Sequence, residues 1–125
     1  MKKVIFFSSI IDYSRVPLGM SNGFIKNDQI TATSKYASDN YGYTARLKLT
    51  GIRWCSVVKS TVDYTEYVQV DFKSVVTLTG VATQGDDSYA NYPKEYYLQV
   101  SMDGSTYSDV KGNDGNRQVC TLFRL

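Results

Sequence analysis

Apolar and polar residues alternate with a period of two along much of the chain. Ala45, Leu47 and Leu49 alternate with Arg46, Lys48 and Thr50. Val68, Val70 and Phe72 alternate with Tyr67, Gln69 and Asp71, and Tyr96, Leu98, Val100 and Met102 with Tyr97, Gln99 and Ser101. Successive side chains of a strand point to opposite faces, so each run predicts a strand with one face buried. The stretch 75–83, rich in Val and Thr, is a further strand candidate, and Leu122 and Arg124 begin a last one. No window keeps apolar residues at helical spacing over several turns, so no helix is predicted. Turn residues fall between the runs: Ser21-Asn22-Gly23, Asn40-Tyr41-Gly42, Gly85-Asp86-Asp87, Asp103-Gly104 and Asn113-Asp114-Gly115-Asn116. Asp103-Gly104, between two strand candidates, suits a hairpin. Many short strands with regular turns predict an all-β sandwich or barrel.

The 125 residues make one domain, with no linker, repeat or low-complexity tract to divide them. Tyr is over-used: 11, against five Phe and one Trp. Its apolar ring and polar tip suit half-buried strands and contact surfaces. A net charge of +2 provides no basic field for nucleic acid. The absence of His removes the commonest general base and the commonest zinc ligand. Cys55 and Cys120 form either one disulfide or two thiols, and the count leaves both open. Residues 1–15 begin Met1-Lys2-Lys3 and continue with a short apolar stretch to Ile11, broken by Ser8 and Ser9, like a secretory leader, but no small-x-small cleavage site follows. A leader and a first strand both fit.

Six segments in order resemble the discoidin (F5/8 type C) domain family. They are Pro17-Leu18-Gly19-Met20 with Asn22-Gly23; the seven residues from Asp28 to Ser34; Ala45-Arg46-Leu47 with Trp54; Tyr67-Val68-Gln69-Val70-Asp71-Phe72; Thr79 to Gly85; and Ser101-Met102-Asp103-Gly104 with Tyr107. The resemblance runs from about Pro17 to Tyr107. It implies an all-β, jelly-roll β-sandwich of about eight strands over residues 16–125. At the C-terminal end, the seven residues from Val119 to Leu125 resemble the family's penultimate strand, so its closing strand and terminal disulfide are expected to be missing. Residues 1–15 are then either a leader or the segment that fills the gap.

For Trp54 the reading is structural, because indole is the largest apolar side chain and the position matches the family's core Trp. Arg46 and Asp71, on polar sides of their strands, are read as structural from the resemblance. Gln84 ends a strand before Gly85. The resemblance puts binding residues on loops at one end of the sandwich, and loops on a rigid scaffold are where binding sites concentrate. The first such loop is 35–43, the second 56–65 and the third 86–95. The first and third mix Tyr with small polar residues, as paratopes do. The candidate ligand-binding residues are Tyr36, Tyr41, Tyr43, Asp86, Tyr89, Tyr92, Lys94 and Glu95.

Those features predict a non-catalytic, extracellular or cell-surface module that binds a glycan or a matrix or cell-surface protein. No G-x-S-x-G, Cys–His pair or Gly-rich phosphate loop suggests an enzyme. The alternative is a phosphatidylserine-binding membrane module. It is expected to be weak, because acidic residues outnumber Lys35 and Lys94 in the first and third loops and no large aliphatic residue or Trp sits there. No run is long enough to span a membrane as a helix. No cofactor and no metal site is predicted. Residues 113–116 lack EF-hand spacing and read as a turn, although the resemblance leaves room for a structural calcium ion at other loops.

Overall fold

A computed structural model describes residues 2–7, 18–38, 41–47, 53–57, 65–85 and 92–121. Six strands are present among them: β1 (Lys2–Phe7), β2 (Ile30–Ala32), β3 (Tyr67–Val70), β4 (Glu95–Ser101), β5 (Ser108–Asp109) and β6 (Val119–Thr121). All belong to one sheet of order β2-β3-β1-β4-β5, with β6 also paired to β4. β2 and β3 are antiparallel, with Ile30 opposite Val70 and Ala32 opposite Val68. β1 is parallel to both its neighbours, and Lys3 stands opposite Tyr67 on one side and Tyr97 on the other. The free edge of β4 is shared. β6 pairs with its first residues, Thr121 opposite Glu95, and β5 with its later ones, Gln99 opposite Asp109.

The period-two pattern sets which face is buried. Val68 and Val70 of β3 and Tyr96 and Leu98 of β4 join Ile25 and Ile30 as the buried core. The layer over that face is irregular. Met20, Tyr43, Ala45, Trp54, Phe72, Leu78 and Val81 pack on the core from turns and extended segments.

The strand expected at 45–49 is not one where it is described. Gly42–Ala45 form a 3₁₀ turn and Arg46 follows in extended conformation. The turn lies against β2 so closely that a Cβ on Gly42 would stand 2.8 Å from the carbonyl carbon of Thr31. Residues 75–83, expected as a strand, contribute none of the strands found among the described residues. Val76 and Leu78, then Val81 and Thr83, are the more covered positions, so the alternation persists but slips by one residue at Thr79-Gly80. Asp103-Gly104 makes the expected turn between β4 and β5, with Gly104 at φ 74°. That left-handed conformation is one glycine adopts at little cost.

Asp103 organises this turn. Its Oδ1 accepts from the N–H groups of Ser105 and Thr106, each at 2.8 Å, and from the Ser101 hydroxyl at 2.9 Å. Those bonds, the Thr106 N–H first, hold its carboxyl far below the usual carboxylate range.

Candidate functional site

The sheet order brings residues 35–38 of the first loop and 92–95 of the third to one end. β2 runs towards the start of β3, so residues 33–38 leave the sheet where β3 begins. β3, β1 and β4 run the same way, so Tyr92 and Lys94 precede β4, and Glu95 opens it, at that same end. Three strand spacings separate β2 from β4, on the order of 14 Å.

The first loop is clamped from below. The Trp54 indole N–H donates to the Ser34 carbonyl at 2.7 Å. The Ser34 hydroxyl bonds the carboxylate of buried Glu66 and accepts from the Val57 N–H at 3.1 Å. The Thr33 N–H donates to the Tyr67 carbonyl at 3.1 Å, and the Thr33 hydroxyl accepts from the Tyr67 N–H at 3.0 Å. The Tyr36 N–H then donates to the Cys55 carbonyl at 2.8 Å. The loop is thus stitched to residues 54–57 and 66–67, and Tyr36, 59% exposed, is presented from a braced backbone.

Beside Tyr36 is an aromatic stack. The Tyr41 and Tyr43 rings lie 5.2 Å apart and 7° from parallel. Lys35 Nζ stands 4.1 Å from the centre of the Tyr41 ring, a cation–π geometry. Tyr43 is half-buried against the core while Tyr41 is exposed, so the stack runs from the interior to the surface. The Tyr41 carbonyl takes both the N–H (2.9 Å) and the hydroxyl (2.6 Å) of buried Thr44, which fixes the turn that carries both rings.

At the start of β4, Tyr92 and Glu95 are half-buried and Lys94 is exposed. Asp86 and Tyr89 lie outside the described residues. Tyr36, Tyr92, Lys94 and Glu95 therefore share one end of the sheet, while Tyr41 and Tyr43 flank Gly42 alongside β2 and are joined to this end through Lys35. Lys35, Ser34 and Glu66 were not singled out from the sequence. Lys35 reaches its ring through loop geometry, and the Ser34–Glu66 pair joins residues 32 positions apart, which no local spacing shows.

The residues read as structural lie beneath or away from this surface. Arg46 Nη1 donates to the Met20 carbonyl at 2.6 Å, and its Nη2 to the Ile25 carbonyl at 2.6 Å and Asn27 Oδ1 at 2.8 Å. One guanidinium thereby ties down the loop leading into β2. The Asp71 N–H donates to the Gln29 carbonyl at 2.8 Å and its carbonyl accepts from Gln29 Nε2 at 2.6 Å, while its carboxylate accepts from the Lys73 N–H at 2.8 Å and pairs with Lys73 Nζ at 2.9 Å. Lys73, at φ 58°, is the one described non-glycine residue in the left-handed region, and the contact with its side chain holds the Asp71 carboxyl below its usual range. Gln84 is exposed near the end of the extended segment.

Cys55 is a free thiol, half-buried next to the clamp. Among the described residues no three Cys, Asp, Glu or His side chains gather as a metal site. Residues 113–116 form a turn, with Gly115 at φ 77° and both Asp114 oxygens bonded to Asn116. No described helix is long and apolar enough to cross a membrane.

Comparison with known proteins adds two findings. A family model described as "F5/8 type C domain" matches residues 29–122. The chain is also similar to human neuropilin-2, 36% identical over 97 residues, covering 74% of this chain and 10% of that protein. It is 35% identical to human neuropilin-1 over 106 residues, 82% of this chain and 11% of that protein. It is 31% identical over 121 residues to the venom prothrombin activator pseutarin-C non-catalytic subunit of Pseudonaja textilis, 90% of this chain and 8% of that protein. The chain thus spans about a tenth of the length of the curated relatives it matches. These relatives are extracellular or secreted proteins.

Proposed function

Because the chain belongs to the F5/8 type C (discoidin) family of β-sandwich domains, we propose that it is a non-catalytic extracellular recognition module. Its ligand is a glycan, with a matrix or cell-surface protein as the next class. Binding occurs through Tyr36, Tyr41, Tyr43 and Tyr92 with Lys94 and Glu95, and through Asp86 and Tyr89 of the third loop.

The observation that carries this reading is the exposed Tyr36 ring on a clamped loop beside the Lys35–Tyr41–Tyr43 stack. A preorganised aromatic surface loses little conformational entropy on binding. A tyrosine face can stack on the C–H face of a sugar, and nearby carboxylate and ammonium groups can exchange hydrogen bonds with its hydroxyls. Two such groups at one end of the sheet, spaced on the order of 14 Å, suit an extended oligosaccharide better than a monosaccharide. The acidic residues that outnumber lysine in these loops work against an anionic bilayer.

A glycan array run beside a panel of matrix proteins tests the proposal. Tyr36→Ala and Tyr92→Ala are then measured against the best ligand found. Each change is expected to weaken binding by about 1–2 kcal/mol, roughly 5- to 30-fold. Unchanged affinity in both folded variants moves the site elsewhere, with loop 56–65 the next candidate.

A further inference from the structure

The first strand lies in the interior of the sheet. Val4 is in register with Val68 on one side and Leu98 on the other, and Phe6 with Val70 and Val100. Val68, Val70 and Leu98 are core residues, and Val100 packs against them. Positions 4 and 6 of β1 are thus in phase with the core rows of both neighbours. The intervening positions, Lys3 and Ile5, match the rows Tyr67/Tyr97 and Gln69/Gln99. A slip of one residue would set the Lys-Ile phase against both core rows, so the register is specified.

Removal of this strand would leave β3 and β4 a double spacing apart, about 9.6 Å, too far to pair with each other. Each would then present an open edge of backbone donors and acceptors. We infer that β3 and β4 frame a strand-acceptor slot, and that residues 2–7 are retained in the folded protein as its occupant. The slot selects an extended segment with apolar residues two positions apart, recognised by backbone ladders on both sides.

The occupant comes from the same chain. Phe7 ends β1 at the end of the sheet where β3 finishes, and Ile30 starts β2 opposite Val70 at that same end. The exit from β1 and the entry to β2 are therefore two strand spacings apart, about 10 Å. The 22 residues from 8 to 29 are long enough to cover that span.

The test uses the full chain, produced in a secretory host. Intact mass should show residues 2–7 present, and light scattering should give a monomer. Hydrogen exchange should protect the amides of Val4, Ile5 and Phe6 by at least about 100-fold over free-peptide rates. A mature N-terminus beyond Phe7, or free-peptide exchange at these amides, would overturn the proposal. A dimer with the same amides protected would give the slot to a second copy and overturn the assignment to the same chain. As a second arm, Ile5→Pro removes a ladder donor from an interior strand. It should abolish protection in β3 and β4 as well, whereas persistence of their protection would show that the slot does not depend on residues 2–7.

Discussion

The indole N–H of Trp54 reaches the backbone carbonyl of Ser34 at 2.7 Å, so the one tryptophan of the chain fastens the loop that presents Tyr36. A core residue thereby also sets the geometry of the candidate binding surface. Trp54→Phe keeps most of the apolar volume and removes the bond. It should cost about 1 kcal/mol in urea denaturation and should also weaken ligand binding. A variant with lowered stability and full affinity would show that the bond braces the fold without positioning the loop.

Arg46→Lys keeps the charge and loses the fork. Lysine cannot serve the Met20 and Ile25 carbonyls and Asn27 Oδ1 together, since it lacks the planar guanidinium. The variant should be destabilised by about 1–3 kcal/mol, read as a lower urea midpoint with an unchanged slope. Affinity for the ligand should be little altered, because Arg46 acts on the loop at the opposite end of β2.

Gly42→Ala puts a methyl group against the backbone of Thr31 and Ile30. Backbone cannot move aside as a flexible side chain would, so the 3₁₀ turn must shift. The expected cost is about 1–3 kcal/mol. Because Tyr41 and Tyr43 ride on this turn, their stack should open, visible as changed ring chemical shifts in NMR spectra. Native ring shifts in the variant would show that the turn absorbs the methyl elsewhere.

Asp103 makes the β4–β5 turn acid-sensitive. Its folded-state pKa is depressed, so the stabilisation it contributes is fully present above the ordinary carboxylate value. That stabilisation is lost as the pH falls through the lower folded value. Asp103→Asn should therefore lower stability at neutral pH, and the gap to the native chain should narrow as the pH falls below the ordinary carboxylate range. Denaturation series at several acidic pH values check this, and a gap that does not depend on pH would contradict it.

The thiol of Cys55 is free in the folded chain. Mass spectrometry without reduction should give the fully reduced mass, and alkylation of the native protein should label Cys55. A mass short by two hydrogens would show a bond to Cys120.

Local features were the legible ones. β4 follows from the Tyr96-Leu98 alternation, and its hairpin from Asp103-Gly104, because both depend on residues a few positions apart. The run at Ala45-Arg46-Leu47 misled, since the close approach of Gly42 to β2 and the reach of Arg46 to the 20–27 loop override a two-residue period. At 75–83 the Val- and Thr-rich composition suggested a strand but could not show that the covered positions slip by one residue at Thr79-Gly80. The residue types of the candidate site were readable, and four of its eight members, Tyr36, Tyr92, Lys94 and Glu95, fall at one end of the sheet. Its brace was not, because Ser34, Trp54 and Glu66 meet only through the fold.

The position of Lys2–Phe7 between β3 and β4 also orders events in time. During synthesis this segment emerges before either partner, since Lys3 pairs with Tyr67 and Tyr97, about sixty and about ninety residues later, so the loop closures are long and their entropic cost comes before any ladder forms. β1 must wait until both β3 and β4 have been made. Folding of the domain is accordingly expected to be slow and to await the synthesis of β4, with β1 the segment most in need of a chaperone.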